Sequence, residues 1–349
     1  MDIRTVAKRA SVSTATVSRT VNRTSMVTPA LARRVWKAVQ ELGYYPNIQA
    51  RGLVSGRSRI LGLIVSDLTN PFFPEIVQVF ESLAVQQQYE ILLASTMNDR
   101  EHMKSSVRRM IERRVEGAAI VTFGMEDILL EDLKLWDVPV VLVDVASTKR
   151  SASNIRIDYV TGIRQAVQHL AALRHRNIAF ISGPRDLKSA VARQQAFCQS
   201  MEEIGLRADP RLIVEGDHTL EGGHFACGGL LSRTRPTAIL CSNDLTALGV
   251  MRRSYELGIQ IPKDLSVIGF DDIRLAQFCL PPLTTVQMSQ SELARLAFNG
   301  LLAEIERTEP ARKAAEYELK TSLVLRKSTS VFGAKNCTSG SGPFRAPVS

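Results

Sequence analysis

From Ile60 onward, short runs of apolar, often β-branched residues alternate with longer amphipathic segments, and this alternation limits the possible folds strongly. The runs are five or six residues long and occupy positions 60–65, 90–94, 118–122, 138–143, 178–182, 238–242 and 265–270. Strands without polar alternation are buried on both faces, as in parallel sheets covered by helices. The pattern predicts an α/β body with parallel, doubly wound sheets, whose ligands bind at the carboxyl ends of the strands.

The first 43 residues have a different period, because apolar residues recur there at helical spacing in three short segments. Ser13 is suited to cap the second segment, and Thr28 is suited to cap the third, which begins with Pro29 and ends at Gly43. Helices this short need one another for stability. The pattern predicts a small all-α unit with a helix-turn-helix, although any three-helix bundle would show similar apolar stripes.

Charge is concentrated in the same end of the chain. Residues 1–60 contain eleven Lys and Arg but only two acidic residues, so they hold the entire formal net charge of +9. A basic end segment on a neutral body predicts a polyanionic partner, either nucleic acid or an anionic membrane surface, with a merely solvated charged face as the alternative. Combined with the helix-turn-helix pattern, this charge favours DNA.

The second helix of a helix-turn-helix lies in the major groove, where its exposed N-terminal residues read base edges. Arg19 matches guanine O6 and N7, whereas Thr14 and Ala15 are suited to a thymine methyl group. Short polar side chains at this end are suited to phosphate oxygens. The predicted DNA contacts of the unit are Ser13, Thr14, Ala15, Thr16, Ser18, Arg19 and Asn22.

Catalytic and metal-binding motifs are missing from the sequence. It contains neither a glycine-rich nucleotide loop nor a zincin or nucleophile-elbow motif, and its five cysteines and five histidines lack metal-ligand spacing. Asp271 and Asp272 are adjacent and point apart, which makes them a poor Mg²⁺ pair. We therefore expect a protein that is not an enzyme and has no cofactor or metal.

The N-terminus is charged from position 2 onward, and no window approaches 18 uninterrupted apolar residues. These features predict neither an export signal nor a membrane span, so we expect a cytoplasmic protein without a membrane partner. A stand-alone solute-binding protein, the main non-enzymatic alternative, would need an export signal and no basic unit.

Seven motifs follow one another along the chain: DIRTVAKRASVSTATVSRTVN, VTPALARRVWKAVQELGYYPNIQARGL, ILGLIVSDLTNPFF, LVDV, FISGP, SNDLTALGVM and VIGFDD. In combination they resemble the LacI/GalR family of bacterial transcription regulators, and the resemblance extends to about Lys327. Two positions depart from the family. Ser11 stands where the family usually has a glycine at the turn, and Thr20 stands where an apolar residue is usual.

The resemblance implies a helix-turn-helix DNA-binding domain at 1–46, a hinge helix and linker at 47–59, and an effector-binding and dimerisation domain at 60–327. Residues 328–349 are rich in Ser, Gly and Pro and have little periodicity, which predicts a disordered tail. Ala50 and Leu53 would contact DNA from the hinge helix, with Leu53 wedged into the minor groove. The body would be a two-lobed periplasmic-binding-protein-like (type I) domain. Lobe 1 would comprise about 60–158 and 290–317, and lobe 2 about 159–288 and 318–327.

The resemblance also implies a small-molecule effector in the cleft between the lobes, bound by Phe72, Phe73, Asp144, Arg193, His218, Asn243 and Asp271. The phenylalanines would form an apolar wall, while Arg193 and the strand-end groups would bond ligand hydroxyls, which suits a sugar or sugar derivative. Each assignment has an alternative. The strand-end groups are suited to helix capping, the phenylalanines to the core, and His218 to the surface.

Partners follow from the same resemblance. A homodimer would place two recognition helices on a pseudo-palindromic, double-stranded operator and act as a repressor. The tail from Ser328 contains no leucine. We therefore expect a dimer rather than a tetramer assembled through a leucine heptad.

Overall fold

The structure is a computed structural model that describes residues 2–21, 27–44, 57–97, 99–123, 138–145, 152–307 and 315–333. The chain divides into two compact units, Met1–Arg59 and Ile60–Ser349. Asn22, Ala50, Leu53 and most of the predicted hinge segment lie outside the described residues, so their roles stay predictions.

The first unit is a three-helix bundle. Its helices are α1 (Ile3–Ala10), α2 (Thr14–Val21) and α3 (Pro29–Leu42). Val6, Val17 and Val35, one from each helix, are fully buried in a common core. The helical segments predicted from apolar spacing are thus confirmed.

The predicted caps of this unit have different outcomes. The Ser13 hydroxyl accepts a hydrogen bond from the Thr16 backbone N–H at 3.1 Å and so caps α2. Gly43 ends α3 in the left-handed conformation, at φ 57°. Thr28 is the N-cap residue of α3, as predicted, but its side chain makes no capping hydrogen bond. Pro29 at the start of α3 supplies a preset φ and removes one of the backbone N–H groups that a helix start leaves unsatisfied.

The turn between α1 and α2 tolerates serine in place of glycine. Ser11 adopts φ 51° and ψ 50°, which is the left-handed conformation that glycine favours. The Arg34 side chain crosses from α3 and donates to the Ala10 and Ser11 carbonyls at 2.7 and 3.1 Å. Thr20 is buried, and its hydroxyl donates to the Thr16 carbonyl at 2.8 Å. Both departures from the family are therefore accommodated by local hydrogen bonds.

The second unit contains two six-stranded sheets. The first sheet has the order β11-β5-β4-β3-β1-β2 and is parallel throughout. The second has the order β12-β10-β9-β8-β6-β7 and is parallel except for β12. The strands of the first sheet are β1 (Ile60–Val65), β2 (Glu90–Ser95), β3 (Gly117–Val121), β4 (Val140–Val143), β5 (Ser153–Asp158) and β11 (Glu316–Lys320). Those of the second are β6 (Ile178–Ser182), β7 (Ile213–Glu215), β8 (Ala238–Cys241), β9 (Ser266–Asp271), β10 (Thr284–Gln287) and β12 (Ser322–Val324).

Helices cover the sheets, as expected for doubly wound folds. The described helices of this unit are α4 (Phe72–Gln86), α5 (Arg100–Glu112), α6 (Tyr159–Ala172), α7 (Lys188–Glu203), α8 (Leu220–Arg233), α9 (Asp244–Glu256) and α10 (Gln290–Ile305). α10 packs on α4 and on strands of the first sheet, although it follows β10 of the second. Within the described ranges, no helix combines the length and apolar character needed to cross a membrane.

The chain passes between the sheets three times, after β5, after β10 and between β11 and β12. The last crossing lies at Thr321, so the lobe boundary predicted between 317 and 318 is a few residues too early, because β11 still pairs with β5. The Thr321 hydroxyl donates to the Asp158 carbonyl at 2.6 Å and accepts from the Gly162 N–H at 3.1 Å. These two hydrogen bonds connect the crossing after β5 with the crossing between β11 and β12.

The predicted disorder of the tail is wrong for residues 328–333. Ser328 is fully buried, and its hydroxyl donates to the Val267 carbonyl at 2.6 Å. Further along, the Ser330 carbonyl accepts a hydrogen bond from His175 Nε2 at 3.0 Å. The Ser-, Gly- and Pro-rich composition of the tail predicted disorder, but Ser328 and Ser330 form hydrogen bonds with polar groups in and beside the second sheet.

Candidate functional site

The first unit presents the predicted reading face of α2. Thr14, Ala15 and Arg19 are exposed, while Val17 on the opposite side is fully buried. Ser18 and Thr16 are partly exposed, and the Ser13 and Thr16 hydroxyls lie 2.9 Å apart. The exposed N-terminal half of α2 can therefore present both donors and a small apolar surface to a partner.

The second unit contains a cleft of about 660 Å³ at the carboxyl ends of strands from both sheets. Six of the seven predicted effector residues line it, namely Phe72, Phe73, Arg193, His218, Asn243 and Asp271. Their sequence positions are far apart, and parallel strands bring them together because their carboxyl ends meet at one edge. A volume of this size suits a small-molecule ligand.

The lobe 1 wall is aromatic. Phe72 and Phe73 open α4, and their rings contact in an edge-to-face arrangement with centroids 5.3 Å apart. Phe123, just after β3, lies 6.0 and 6.2 Å from these two rings. The Asn70 side chain accepts a hydrogen bond from the Phe72 N–H at 3.0 Å and so holds the start of the helix. Phe72 and Phe73 are part of the core and also line the cleft, so both of the roles considered for them apply.

Arg193 of α7 is the buried cation of the lobe 2 wall, with its side chain only 5% exposed. Nη1 donates to the Ser242 carbonyl at 2.6 Å, and Nη2 lies 3.7 Å from the Asp271 carboxylate. The guanidinium carbon lies 4.2 Å from the centroid of the Phe270 ring. Nε is buried and has no hydrogen-bond partner among the described residues, so it is an unsatisfied donor of a residue that lines the cleft.

Asp271 ends β9 with φ 107°, in a region that L-residues rarely adopt. Burial raises the pKa of its carboxyl group to about 7, and the positive charge of Arg193 opposes that rise. Gln290 donates to the Asp271 carbonyl at 2.8 Å, which fixes the backbone. A carboxyl group with this pKa can both accept and donate hydrogen bonds near neutral pH.

His218 precedes α8 and adopts φ 65°. Its Nε2 lies 2.8 Å from the Ser242 hydroxyl, and the ring fills the space above Gly183, where a Cβ would come within 2.0 Å of Nε2. Burial, assisted by the nearby Arg193 charge, lowers the pKa of the imidazole to about 3. His218 is therefore neutral near pH 7, and a purely surface role does not fit its contacts.

Asn243 serves as the N-cap of α9. Its Oδ1 accepts from the Thr246 N–H at 2.9 Å, and its Nδ2 donates to the His218 carbonyl at 3.0 Å. The capping alternative is therefore correct for this residue. Both polar atoms of its amide are hydrogen-bonded within the protein. A ligand could bond to them only in competition with these hydrogen bonds.

Asp144 is not among the residues that line the cleft. It adopts φ 59°, and its carboxylate accepts a hydrogen bond from the Tyr159 hydroxyl at 2.8 Å. Burial raises the pKa of its carboxyl group, and the Tyr159 hydrogen bond opposes that rise. The expectation of direct ligand contact is corrected, because the Asp144 carboxylate is bonded to Tyr159, whose ring centroid lies 5.1 Å from the Arg193 guanidinium.

The sequence patterns did not predict several other residues that line the cleft. They include Ser66, Asp67, Thr69, Arg100, Asp186, Ser189, Asp217 and Glu221. Ser66 and Asp67 directly follow β1, so the rule that ligands bind at strand carboxyl ends was a usable signal for them. The others come from loops or helix starts and carry no such signal.

Comparison with known proteins covers both units. Residues 2–47 match the profile of bacterial regulatory proteins of the lacI family, and residues 167–329 match that of the periplasmic binding protein-like domain. The HTH-type transcriptional repressor PurR of Salmonella arizonae is 32% identical over 346 residues, which cover 98% of each chain. The Lac repressor dimer bound to operator and the anti-inducer ONPF is similar in structure, with a TM-score of 0.85, 30% identity and coverage of 95% of this chain and 99% of that one. The complex of the regulator CelR with cellobiose has a TM-score of 0.72, 28% identity and coverage of 94% and 99%.

Proposed function

The chain belongs to the LacI family of bacterial regulatory proteins, and from this membership we propose that it is a repressor that binds a pseudo-palindromic operator as a homodimer. A carbohydrate effector in the cleft would set its DNA affinity. The observation that carries the proposal is the presence, in one chain, of an exposed helix-turn-helix reading face and a ligand cleft. We assign no reaction to the cleft, and we infer a cytoplasmic location, where operator DNA is found.

In the DNA complex, α2 would enter the major groove. Arg19 would donate to a guanine, and Thr14 and Ala15 would contact neighbouring bases. Ser13, Thr16, Ser18 and Asn22 would bond phosphates, and the N-terminus of α2 would support them. Ala50 and Leu53 would contact the minor groove.

Self-association is supported by exposed apolar side chains on lobe 2. Phe225, Tyr255, Phe278 and Leu280 are 75, 78, 67 and 91% exposed. Large apolar groups at this exposure mark surfaces that other proteins cover. A second copy of the chain fits the two-fold symmetry of the proposed operator, and a solved relative is a dimer on its operator.

A carbohydrate effector is supported by the composition of the cleft. Sugars present an apolar ring face and several hydroxyls, which match the Phe72 and Phe73 wall and the Arg193 and Asp271 pair. Cellobiose and ribose are bound by two solved relatives. The effector would change DNA affinity to the extent that it binds one arrangement of the lobes more tightly than the other.

The decisive experiment is selection of genomic DNA fragments by the purified chain, followed by affinity measurements across a salt series. We expect a pseudo-palindromic site whose affinity falls steeply as salt rises, because basic residues release counterions from DNA. Leu53→Ala should weaken binding to this site, while Val85→Ala, an exposed change in the second unit, should not. Weak binding without sequence preference would contradict the repressor proposal.

A further inference from the structure

The buried cation of the cleft already has a carboxyl neighbour. The Arg193 guanidinium lies 3.7 Å from the Asp271 carboxylate and donates to the Ser242 carbonyl at 2.6 Å. Its face is covered by the Phe270 ring at 4.2 Å. The buried Nε has no hydrogen-bond partner among the described residues and is an N–H donor suited to a neutral oxygen. The floor of the cleft therefore places a carboxyl group directly beside the Arg193 guanidinium.

His218 adds no positive charge to this floor. Its Nε2 lies 2.8 Å from the Ser242 hydroxyl, so its hydrogen-bond partner is an uncharged group. Burial and the nearby Arg193 charge lower the pKa of its imidazole to about 3. At neutral pH the ring is a polar but uncharged part of the wall.

The rim of the cleft is acidic. Among the described lining residues, the carboxylates of Asp67, Asp186, Asp217 and Glu221 face a single exposed cation, Arg100. Asp186, Asp217 and Glu221 are exposed and belong to lobe 2, while Asp67 follows β1 of lobe 1. Even with Asp271 protonated, carboxylates outnumber cations in this lining. An anion that approaches the floor must therefore pass a field of its own sign.

We propose that the cleft selects uncharged polyhydroxylated ligands and rejects phosphorylated and carboxylated sugars. The inference rests on the proposed effector function and deepens it by naming the charge class of the ligand. Neutral hydroxyls can bond to Arg193, Asp271 and His218 without displacing an ion pair. A phosphate or carboxylate would be repelled by the rim and would meet the Asp271 carboxyl group beside the buried cation, so like charges supply the discrimination.

The test uses the purified full-length chain and three matched pairs in calorimetry: glucose with glucose 6-phosphate, trehalose with trehalose 6-phosphate, and cellobiose with cellobionate. We expect at least one neutral member to bind and its anionic partner to bind at least about tenfold more weakly. Added salt should narrow this ratio, because it screens the exposed rim charges.

Charge-neutral variants of the rim give an independent readout. In the double variant Asp186→Asn/Glu221→Gln, the ratio of neutral to anionic affinity should fall by about threefold or more. The matched control is Glu202→Gln, which removes an exposed carboxylate of α7 that does not line the cleft. This control should leave the ratio unchanged.

The outcomes separate the inference from the proposed function. An anionic sugar that binds as tightly as its neutral partner would overturn the charge selectivity and leave the repressor proposal standing. Failure of all six compounds to bind, in a preparation that still selects its DNA site, would overturn the neutral-sugar class together with the carbohydrate effector. Loss of specific DNA binding with neutral-sugar binding intact would contradict the repressor proposal alone.

Discussion

The two walls of the cleft have the same architecture and different chemistry. Lobe 1 contributes the rings of Phe72, Phe73 and Phe123 together with exposed or half-buried polar groups, whereas lobe 2 contributes the buried pair Arg193 and Asp271. Apart from β12, both sheets are parallel, and the cleft lies at the carboxyl edges of the parallel strands. An apolar wall attracts any ligand with a flat apolar face, because burial is non-directional. Hydrogen-bonding groups fix the orientation of a ligand. We therefore expect the polar groups of lobe 2 to decide which ligand binds.

Loss of Arg193 should have the largest effect on both stability and ligand affinity. Arg193→Ala leaves the buried Asp271 carboxylate without its counter-charge, so we expect a loss of about 3 kcal/mol in the free energy of unfolding. Neutral-sugar affinity should fall at least about a hundredfold, because charged hydrogen bonds are lost. Calorimetry and chemical denaturation measure both effects. Arg164→Ala, which removes an exposed ion pair with Glu203 on the same lobe, is the control and should change neither strongly.

Acid should weaken the polar wall through His218. Burial lowers the folded-state pKa to about 3. As pH falls below the ordinary value of about 6.5, the unfolded chain binds a proton that the folded one does not, so stability falls. Between about pH 7.5 and about pH 5, wild type should lose about 2 kcal/mol more unfolding free energy than His218→Gln. Asp271, with its raised pKa, contributes the opposite slope in both proteins. Equal losses in wild type and variant would refute this assignment.

A smaller change displaces His218 without removing it. A Cβ at Gly183 would lie 2.0 Å from His218 Nε2, so Gly183→Ala should push the ring away from Ser242. We expect sugar affinity to fall by about tenfold, since the polar wall loses its arrangement. Adding His218→Ala should restore the stability lost in Gly183→Ala, and a double-mutant cycle would detect the coupling. Strictly additive effects would contradict direct contact.

The aromatic wall should give the smallest effect. Phe73→Leu keeps the site apolar, so we expect a stability loss of about 1 kcal/mol and an affinity loss of about threefold. Phe80→Leu, a core position of the same helix that packs on Phe298, should match the stability loss without the affinity loss. If Phe73→Leu weakened binding as much as Arg193→Ala, the division of roles between the walls would be wrong.

The sequence predicted seven strands of the body because their apolar runs are continuous and need burial on both faces. It missed β5, β7, β10, β11 and β12 for physical reasons; β11 alternates polar and apolar residues, and β12 is only three residues long. Ser153–Asp158 alternates polar and apolar residues, Ile213–Glu215 is only three residues long, and Thr284–Gln287 carries polar residues that are buried through tertiary hydrogen bonds. The buried hydroxyl of Thr285, for example, donates to Asp244 at 2.6 Å. No local sequence pattern predicts such a hydrogen-bond partner.

The candidate site shows the same division. Phe72, Arg193 and Asp271 were predicted as site residues by their motifs and line the cleft, but Asp144 was assigned to the ligand and instead accepts a hydrogen bond from Tyr159. Both Asp144 and Asp271 follow a strand, so the sequence makes them equivalent. Their side-chain neighbours distinguish them, and those neighbours come from distant parts of the chain.

By itself, the sequence determined the family, the three-helix unit, the α/β body and the edge at which a ligand binds, because helical period, apolar runs and strand direction are local properties. Only the tertiary structure decided which polar groups are available. Whether Arg193 has a carboxyl neighbour, whether His218 carries a proton and whether Ser328 is disordered or buried all depend on partners more than 20 positions away. Hydrogen bonds and desolvation depend on which groups are close in space. The order of residues along the chain does not specify those groups.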